Sequence, residues 1–154
     1  MKRHLFTLAA VVLATFALGT ANLTADPAAR TILIKAGDDM KFSVTEIAAR
    51  PGEKLRIVLQ SRGTMPKVAM AHNVAVLAKG TDVDAFVNAS ATARTTEFIA
   101  PSFKAKVIAA TKLAGNGETV EVTFDVPKAA GKYDFVCSFP GHYLAGMRGV
   151  LVVK

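Results

Sequence analysis

The sequence is poor in the residues on which many stabilising and metal-binding motifs depend. It has no tryptophan, one cysteine (Cys137) and three histidines among 154 residues. A single cysteine cannot form an internal disulfide, supply the C-x-x-C-H motif that attaches a c-type haem, or hold an iron–sulfur cluster. The chain also lacks long runs of lysine or arginine and stretches in which basic and aromatic residues alternate, so nucleic acid is excluded as the expected partner.

A long hydrophobic run occurs only at the N-terminus. Residues 1–4 are MKRH, a mostly apolar run of fourteen residues follows in Leu5–Leu18, and Gly19-Thr20-Ala21 supplies the small residues of a cleavage site. The run is shorter than the roughly 20 residues that span a bilayer, so the pattern predicts a cleaved signal peptide over 1–21 rather than an anchor. Cleavage would lower the formal charge from +7 to +5. We therefore expect a periplasmic protein without a membrane span.

Short segments with strand-like composition follow a polar leader over 22–30. Turn residues such as Pro51-Gly52 separate them, and seven or eight short strands at this spacing are typical of an antiparallel sandwich or barrel. We expect one β domain over 31–154. The segments are TILIKA (31–36), KFSVTEI (41–47), KLRIVLQ (54–60), HNVAVLA (72–78), TVEVTFDVP (119–127), YDFVC (133–137) and RGVLVV (148–153).

Residues 81–102 differ from this β pattern. Thr81 is followed three residues later by an acid, which is close to the spacing of a helix capping box. Val83, Phe86 and Val87 then recur at helical spacing. The pattern predicts a short helical insertion packed on one edge of the β domain, and an irregular loop is the alternative.

Soft-metal ligands are concentrated in VCSFPGHYLAGM, residues 136–147. Cys137, His142 and Met147 lie at intervals of five, and the turn over 138–141 can fold the imidazole back towards the sulfur. Once the signal peptide is removed, His72 is the only other histidine. Two imidazoles, one thiolate and a weak thioether form the blue-copper ligand set, whereas zinc would usually take another strong ligand. The residues therefore predict a copper site.

Several motifs resemble the cupredoxins, most closely the azurins and auracyanins. CSFPGH with the later Met147 and Gly149, and MAHN (70–73) upstream, carry the resemblance. It extends through GDDMKF (37–42), VIAATKLAGNGETVEVTFDV (107–126) and KYDFVCSFPGH (132–142). The resemblance implies an all-β, Greek-key β-sandwich with one type 1 copper ion, in which His72, Cys137 and His142 are equatorial ligands and Met147 is a long axial ligand.

The resemblance also implies roles for residues around these ligands. Ala71 would present a backbone carbonyl opposite the methionine, where the family usually has glycine, and we expect that contact to be weak or absent because the added Cβ shifts it. The backbone N–H groups of Asn73 and Phe139 would donate to the cysteine sulfur. The chain departs from azurins in lacking their disulfide and buried tryptophan, and four residues rather than three separate His142 from Met147.

Four protein ligands leave no position for a substrate, so we expect an electron carrier rather than an enzyme. Its partners would be redox proteins such as c-type cytochromes or copper enzymes, which bind weakly and transiently through small interfaces. Docking is expected on an apolar patch around the exposed imidazole edge of His142. The candidate residues are Met65, Pro66, Met70, Phe139, Pro140, Tyr143, Leu144 and Ala145.

Three alternatives remain open from the sequence. A periplasmic copper chaperone or buffer would use the same ligands but would need an exchangeable metal. A multicopper oxidase or nitrite reductase would need additional histidine clusters, which this sequence lacks. A structural or adhesion domain would hold no metal.

Overall fold

The computed structural model describes residues 28–154, so the predicted signal peptide and most of the leader lie outside the described residues. The strands are β1 (Arg30–Ala36), β2 (Glu46–Ala49), β3 (Lys54–Ser61), β4 (Ala75–Leu77), β5 (Val107–Ala110), β6 (Thr119–Asp125), β7 (Gly131–Val136) and β8 (Arg148–Val153). One α-helix, α1 (Val83–Ser90), and two 3-10 helices, Arg94–Thr96 and Pro101–Lys106, lie between β4 and β5. None of the helices within 28–154 has the length and hydrophobicity that a membrane crossing requires.

The strands form two sheets that pack as a β-sandwich. One sheet has the order β1-β3-β6 and the other the order β2-β8-β7-β4-β5. β1 runs parallel to β3 and β2 runs parallel to β8, while the other pairs are antiparallel. The predicted β-sandwich is therefore confirmed, and the expectation of antiparallel strands is wrong for these two pairs. Alternation of apolar residues reports which face of a strand is buried, but it carries no information about the direction of the neighbouring strand.

The core between the sheets is built from aliphatic and phenylalanine side chains. On β3, Leu55, Ile57 and Leu59 are at most 1% exposed and alternate with half-buried residues, as a strand with one face in the core should. From the other sheet, the Phe135 ring packs against the backbone of β8. A Cβ at Gly149 would lie 2.2 Å from Phe135 Cζ, so only glycine permits this close approach.

A second apolar cluster covers the outer face of the five-stranded sheet. Ala75 and Leu77 of β4 and Val136 of β7 pack there against the fully buried Phe86 of α1. The opposite side of β4 belongs to the core between the sheets, so all three residues of this strand are buried. The helix therefore fixes the part of the sheet from which the candidate metal site extends.

Several elements differ from the sequence prediction. The N-cap of α1 is Asp82, whose Oδ1 accepts from Ala85 N at 3.0 Å, whereas the expected cap Thr81 donates its hydroxyl to Ala78 O. β2 begins only at Glu46, because residues 41–45 make no ladder beyond an isolated bridge at Phe42. The strand β5 was not among the predicted segments, since its four residues, VIAA, are too few to show a periodicity.

Candidate metal centre

Two neighbouring strands bring distant parts of the chain to one end of the sandwich. His72 lies just before β4, where its N–H donates to Ala114 O at 3.0 Å and its carbonyl accepts from Ala114 N at 2.8 Å. Cys137 directly follows β7. Because β4 and β7 are hydrogen-bonded neighbours, the two side chains emerge at the same end.

The segment Cys137–Met147, here called the ligand loop, closes on itself through backbone hydrogen bonds. Cys137 N donates to Met147 O at 3.1 Å, and Met147 N donates to His142 O at 3.0 Å. Gly141 and Gly146 have φ values of 84° and 93°, which reverse the chain at positions that disfavour other residues. The loop therefore holds a thiol, an imidazole and a thioether residue within one short closed segment.

Three of the residues predicted from sequence form a compact cluster. The ligand atoms of His72, Cys137 and His142 all lie within 4.8 Å of one another. Cys137 Sγ is 3.5 Å from His142 Nδ1, and the two imidazole centroids are 5.0 Å apart. His72 and Cys137 are 0% exposed and His142 is 2% exposed. The two other predicted contributors, Met147 and Ala71, are also fully buried. In the sequence, Ala71 directly precedes His72, and Met147 is the last residue of the ligand loop.

The chemistry of the cluster fits a bound metal ion. Both ring nitrogens of His72 are buried and lack a hydrogen-bond partner among the described residues, which is costly unless a metal takes the lone pair. Burial lowers the pKa of His72 and, helped by the neighbouring His72, lowers that of His142 to about 4, so both rings are neutral at pH 7. Neutral imidazoles are the metal-binding form.

The Cys137 thiol also needs a nearby cation if it is to ionise at neutral pH. Burial raises the pKa of the Cys137 thiol to about 12, although the backbone N–H groups of Asn73 and Phe139 donate to the sulfur and oppose the shift. A thiolate at this position therefore forms at neutral pH only when a positive ion compensates its charge. With one soft sulfur and two imidazoles, the donor set fits copper.

Asn73 ties the two segments that carry the cluster. Its Oδ1 accepts from Ser138 N at 2.9 Å, and its Nδ2 donates to Ser138 Oγ and to Glu97 O, both at 2.9 Å. All of these groups except the Glu97 residue are buried. The side chain thus fixes the residue after Cys137 relative to the residue after His72.

The predicted docking patch is only partly exposed. Leu144 is 81% and Met65 42% exposed, and the remaining members are exposed prolines or half-buried side chains. The exposed imidazole edge expected for His142 is almost wholly covered, because Phe139 packs on its ring at a centroid distance of 4.7 Å. Val68, 77% exposed, was not predicted, although the flanking Pro66 and Met70 marked the same turn.

Comparison with known proteins agrees with this fold and with copper as the metal. Residues 29–154 match the family described as copper binding proteins, plastocyanin/azurin family. An azurin of Pseudomonas putida is 37% identical over 126 residues, which cover 80% of this chain and 97% of the azurin. The structure of auracyanin A from Chloroflexus aurantiacus, described as a "blue" copper protein, superposes with a TM-score of 0.72 and 34% identity and covers 82% of this chain and 100% of auracyanin A.

The outer membrane protein H.8 of Neisseria meningitidis is also similar, with 38% identity over 111 residues, or 71% of this chain. The chain spans only 60% of the length of that relative. The β-sandwich, its similarity to auracyanin A and the buried cluster of one cysteine and two histidines agree with the cupredoxin class. The chain belongs to the plastocyanin/azurin family of copper-binding proteins.

Proposed function

We propose that this chain is a periplasmic type 1 copper protein that carries single electrons. His72, Cys137 and His142 would be the equatorial ligands and Met147 the axial one, with at most a weak contact from the Ala71 carbonyl. The observation that carries the proposal is the cluster itself, in which a thiol and two neutral imidazoles lie within 4.8 Å of one another, away from solvent.

The surrounding residues suit a site that changes charge without changing shape. When bound, copper supplies a one-electron couple between its I and II states. The backbone N–H groups of Asn73 and Phe139 donate to the sulfur and orient it. The hydrogen bonds that close the ligand loop hold Cys137, His142 and Met147 in place, and the apolar surroundings exclude water. A small rearrangement between the two states is what rapid transfer requires.

The same burial favours a carrier over the two alternative copper functions. A chaperone or buffer has to release its metal to a recipient, whereas the three clustered residues here are at most 2% exposed. An enzyme needs an open position for substrate, and the four proposed ligands would occupy the site. The partners proposed are therefore redox proteins, such as c-type cytochromes or copper enzymes, that bind transiently over the apolar patch around Phe139.

The proposal is tested on the full chain loaded with Cu(II). We expect one copper per chain, an intense visible thiolate-to-copper band, and electron self-exchange that is much faster than loss of copper to a chelator. Cys137→Ser should abolish the band because a hydroxyl cannot replace the polarisable thiolate. Rapid copper loss with slow self-exchange would favour the chaperone instead.

The role of Met147 as the axial ligand is tested by a substitution that has a matched control elsewhere in the chain. Met147→Leu should keep the visible band and raise the reduction potential, since a donor that stabilises Cu(II) is removed. Met65→Leu makes the same change in an exposed side chain and should leave the potential unaltered. Equal potentials for the Met147 variant and the wild type would remove Met147 from the ligand set.

A further inference from the structure

Residues 97 and 98 share a backbone conformation that is rare for residues with side chains. Glu97 and Phe98 both have φ values of 57°, in the left-handed region. This conformation is unfavourable for a bulky residue such as phenylalanine, and it persists where the surrounding structure imposes it. The contacts of the two residues therefore show what the conformation achieves.

The side chain of Glu97 reaches the segment that holds His72. Glu97 is exposed at the surface, yet its Oε2 accepts from Leu113 N at 2.8 Å. The next residue, Ala114, exchanges two backbone hydrogen bonds with His72, at 3.0 and 2.8 Å. The Glu97 carboxylate is thus connected to the backbone of His72 through one intervening peptide unit.

The backbone of Glu97 reaches the supports of the other ligand segment. Its carbonyl accepts from Asn73 Nδ2 at 2.9 Å, and Asn73 Oδ1 accepts from Ser138 N at 2.9 Å. Asn73 directly follows His72, and Ser138 directly follows Cys137. Glu97 is therefore hydrogen-bonded to groups on both sides of the His72 segment, one of which also holds the start of the ligand loop.

The ring of Phe98 adds a third contact with the surroundings of the metal site. Its centroid lies 5.1 Å from that of Phe139, whose ring lies 4.7 Å from the His142 ring. Phe98 is only 6% exposed, so its position is fixed by packing. The two left-handed residues together contact groups that adjoin all three clustered residues, His72, Cys137 and His142.

We propose that Glu97 is a positioning residue for the metal site, whose carboxylate keeps His72 in place relative to Cys137 and His142. The ligands come from two segments that are far apart in sequence, so their relative position depends on contacts such as these. The left-handed conformation lets one residue bond to Leu113 with its side chain and to Asn73 with its carbonyl. The inference rests on the proposed electron-carrier function and names a residue that maintains the geometry of its site.

The role requires the reach of the Glu97 side chain rather than its charge. Leu113 N–H is a neutral donor, so any acceptor oxygen at the same reach can satisfy it. Glu97→Gln keeps the reach and removes the charge, whereas Glu97→Asp keeps the charge and is shorter by one methylene. Aspartate also tolerates positive φ, so the shortened variant should fold.

The first measurements use the metal-free chain. In Glu97→Asp, the Leu113 and Ala114 amides should exchange their hydrogens about threefold or more faster than in the wild type. Affinity for Cu(I), measured by competition with a chromophoric chelator, should fall about threefold to tenfold, since groups that orient metal ligands affect metal affinity. Glu97→Gln should stay within about twofold of the wild type in both measurements.

The second measurement uses the copper-loaded chain. If His72 is held less firmly, it moves more between the two oxidation states, and electron self-exchange slows. Self-exchange in Glu97→Asp should therefore be about threefold or more slower than in Glu97→Gln. The comparison is made at 1 M salt, where the Debye length of about 3 Å suppresses the effect of the charge difference between the variants.

Glu121→Asp is the matched control. Glu121 is an exposed acid on β6 that binds Arg56 of β3 in the three-stranded sheet. The same shortening there should leave amide exchange at Ala114, Cu(I) affinity and self-exchange within about twofold of the wild type. Equal effects of Glu121→Asp and Glu97→Asp would overturn the proposal.

Two other outcomes would also overturn it. Equal changes in Glu97→Asp and Glu97→Gln would show that the reach of the side chain is not what matters. Faster amide exchange in Glu97→Asp with unchanged Cu(I) affinity and self-exchange would make Glu97 a structural contact only. A wild-type chain that binds no copper would instead refute the carrier, and amide exchange at Ala114 would still report whether Glu97 holds the His72 segment.

Discussion

The ligand loop and the helical segment (residues 81–106) both help to form the surroundings of His142, but different forces hold them. The loop is closed by backbone hydrogen bonds between residues close in sequence, such as those of Met147 with Cys137 and His142. The helical segment is held by buried apolar side chains, chiefly Phe86, whose ring meets Phe103 edge-on at 5.7 Å. Local hydrogen bonds thus set the geometry of the first region, whereas long-range packing sets the position of the second.

The largest effect should come from removing the packing of the helical segment. Phe86 is fully buried, so Phe86→Ala should lower the free energy of unfolding by about 3–5 kcal/mol. The visible band of the folded, copper-loaded variant should survive, because the hydrogen bonds of the loop are intact. Leu144→Ala, at an 81% exposed position, should leave stability almost unchanged. Denaturant titration measures both, and a folded Phe86 variant without the band would show that the loop depends on the helix.

Asn73 connects the two regions, since its side chain bonds to Ser138 in the loop and to Glu97 O in the helical segment. Asn73→Ala should cost about 1–3 kcal/mol, because buried polar groups lose their partners. It should also shift the reduction potential, whereas the Phe86 variant should not. The exposed Asn88 provides the control, as Asn88→Ala should alter neither quantity. An unshifted potential in the Asn73 variant would mean that the two ligand segments are fixed independently of this side chain.

A smaller effect is expected at the outer edge of the loop. The Lys41 ammonium donates to Ala145 O from the distant β1–β2 connection. Lys41→Met should lower stability by less than about 1 kcal/mol, as is usual for an exposed charged contact. Hydrogen exchange at the Ala145 and Gly146 amides should nevertheless become faster than in Lys128→Met. Identical exchange in the two variants would show that backbone bonds alone fix the loop.

The smallest effect concerns an ion pair at the opposite end of the sheets. Arg30 and the backbone N–H of Arg50 lower the pKa of Glu53. The resulting stabilisation is present above the unfolded-state pKa of about 4.3 and is lost as the pH falls through the lower folded-state value. The stability difference between wild type and Glu53→Gln should therefore shrink below pH 4, while the visible spectra stay alike. A difference that grows on acidification would contradict this sign.

The contrast between the two regions also explains which features the sequence could predict. Cys137, His142 and Met147 are close in sequence, so a short hydrogen-bonded loop brings them together with little contribution from the rest of the fold. The β-sandwich follows from the alternation in segments such as β3 and β6. His72 could be proposed as the distant ligand because, apart from His142, no other histidine follows the predicted signal peptide.

Features that depend on distant contacts were not predictable in the same way. The parallel pairing of β2 with β8 joins segments about 100 residues apart. Glu97 and Phe98 have φ values of 57°, a conformation that the surroundings impose and the sequence does not favour. Phe98 is thereby brought against Phe139, and Val68 and Arg94 come to line a groove with these two rings. Phe98 and Arg94 carried no local signal of that position, whereas Val68 lies in the turn that Pro66 and Met70 had marked.

X-ray absorption at the copper edge of the loaded full chain tests the central claim most directly. The account predicts one copper per chain with one short bond to sulfur and two bonds to imidazole nitrogen, and loss of the sulfur contribution in Cys137→Ser. A wild-type spectrum that contains only nitrogen and oxygen neighbours would contradict it.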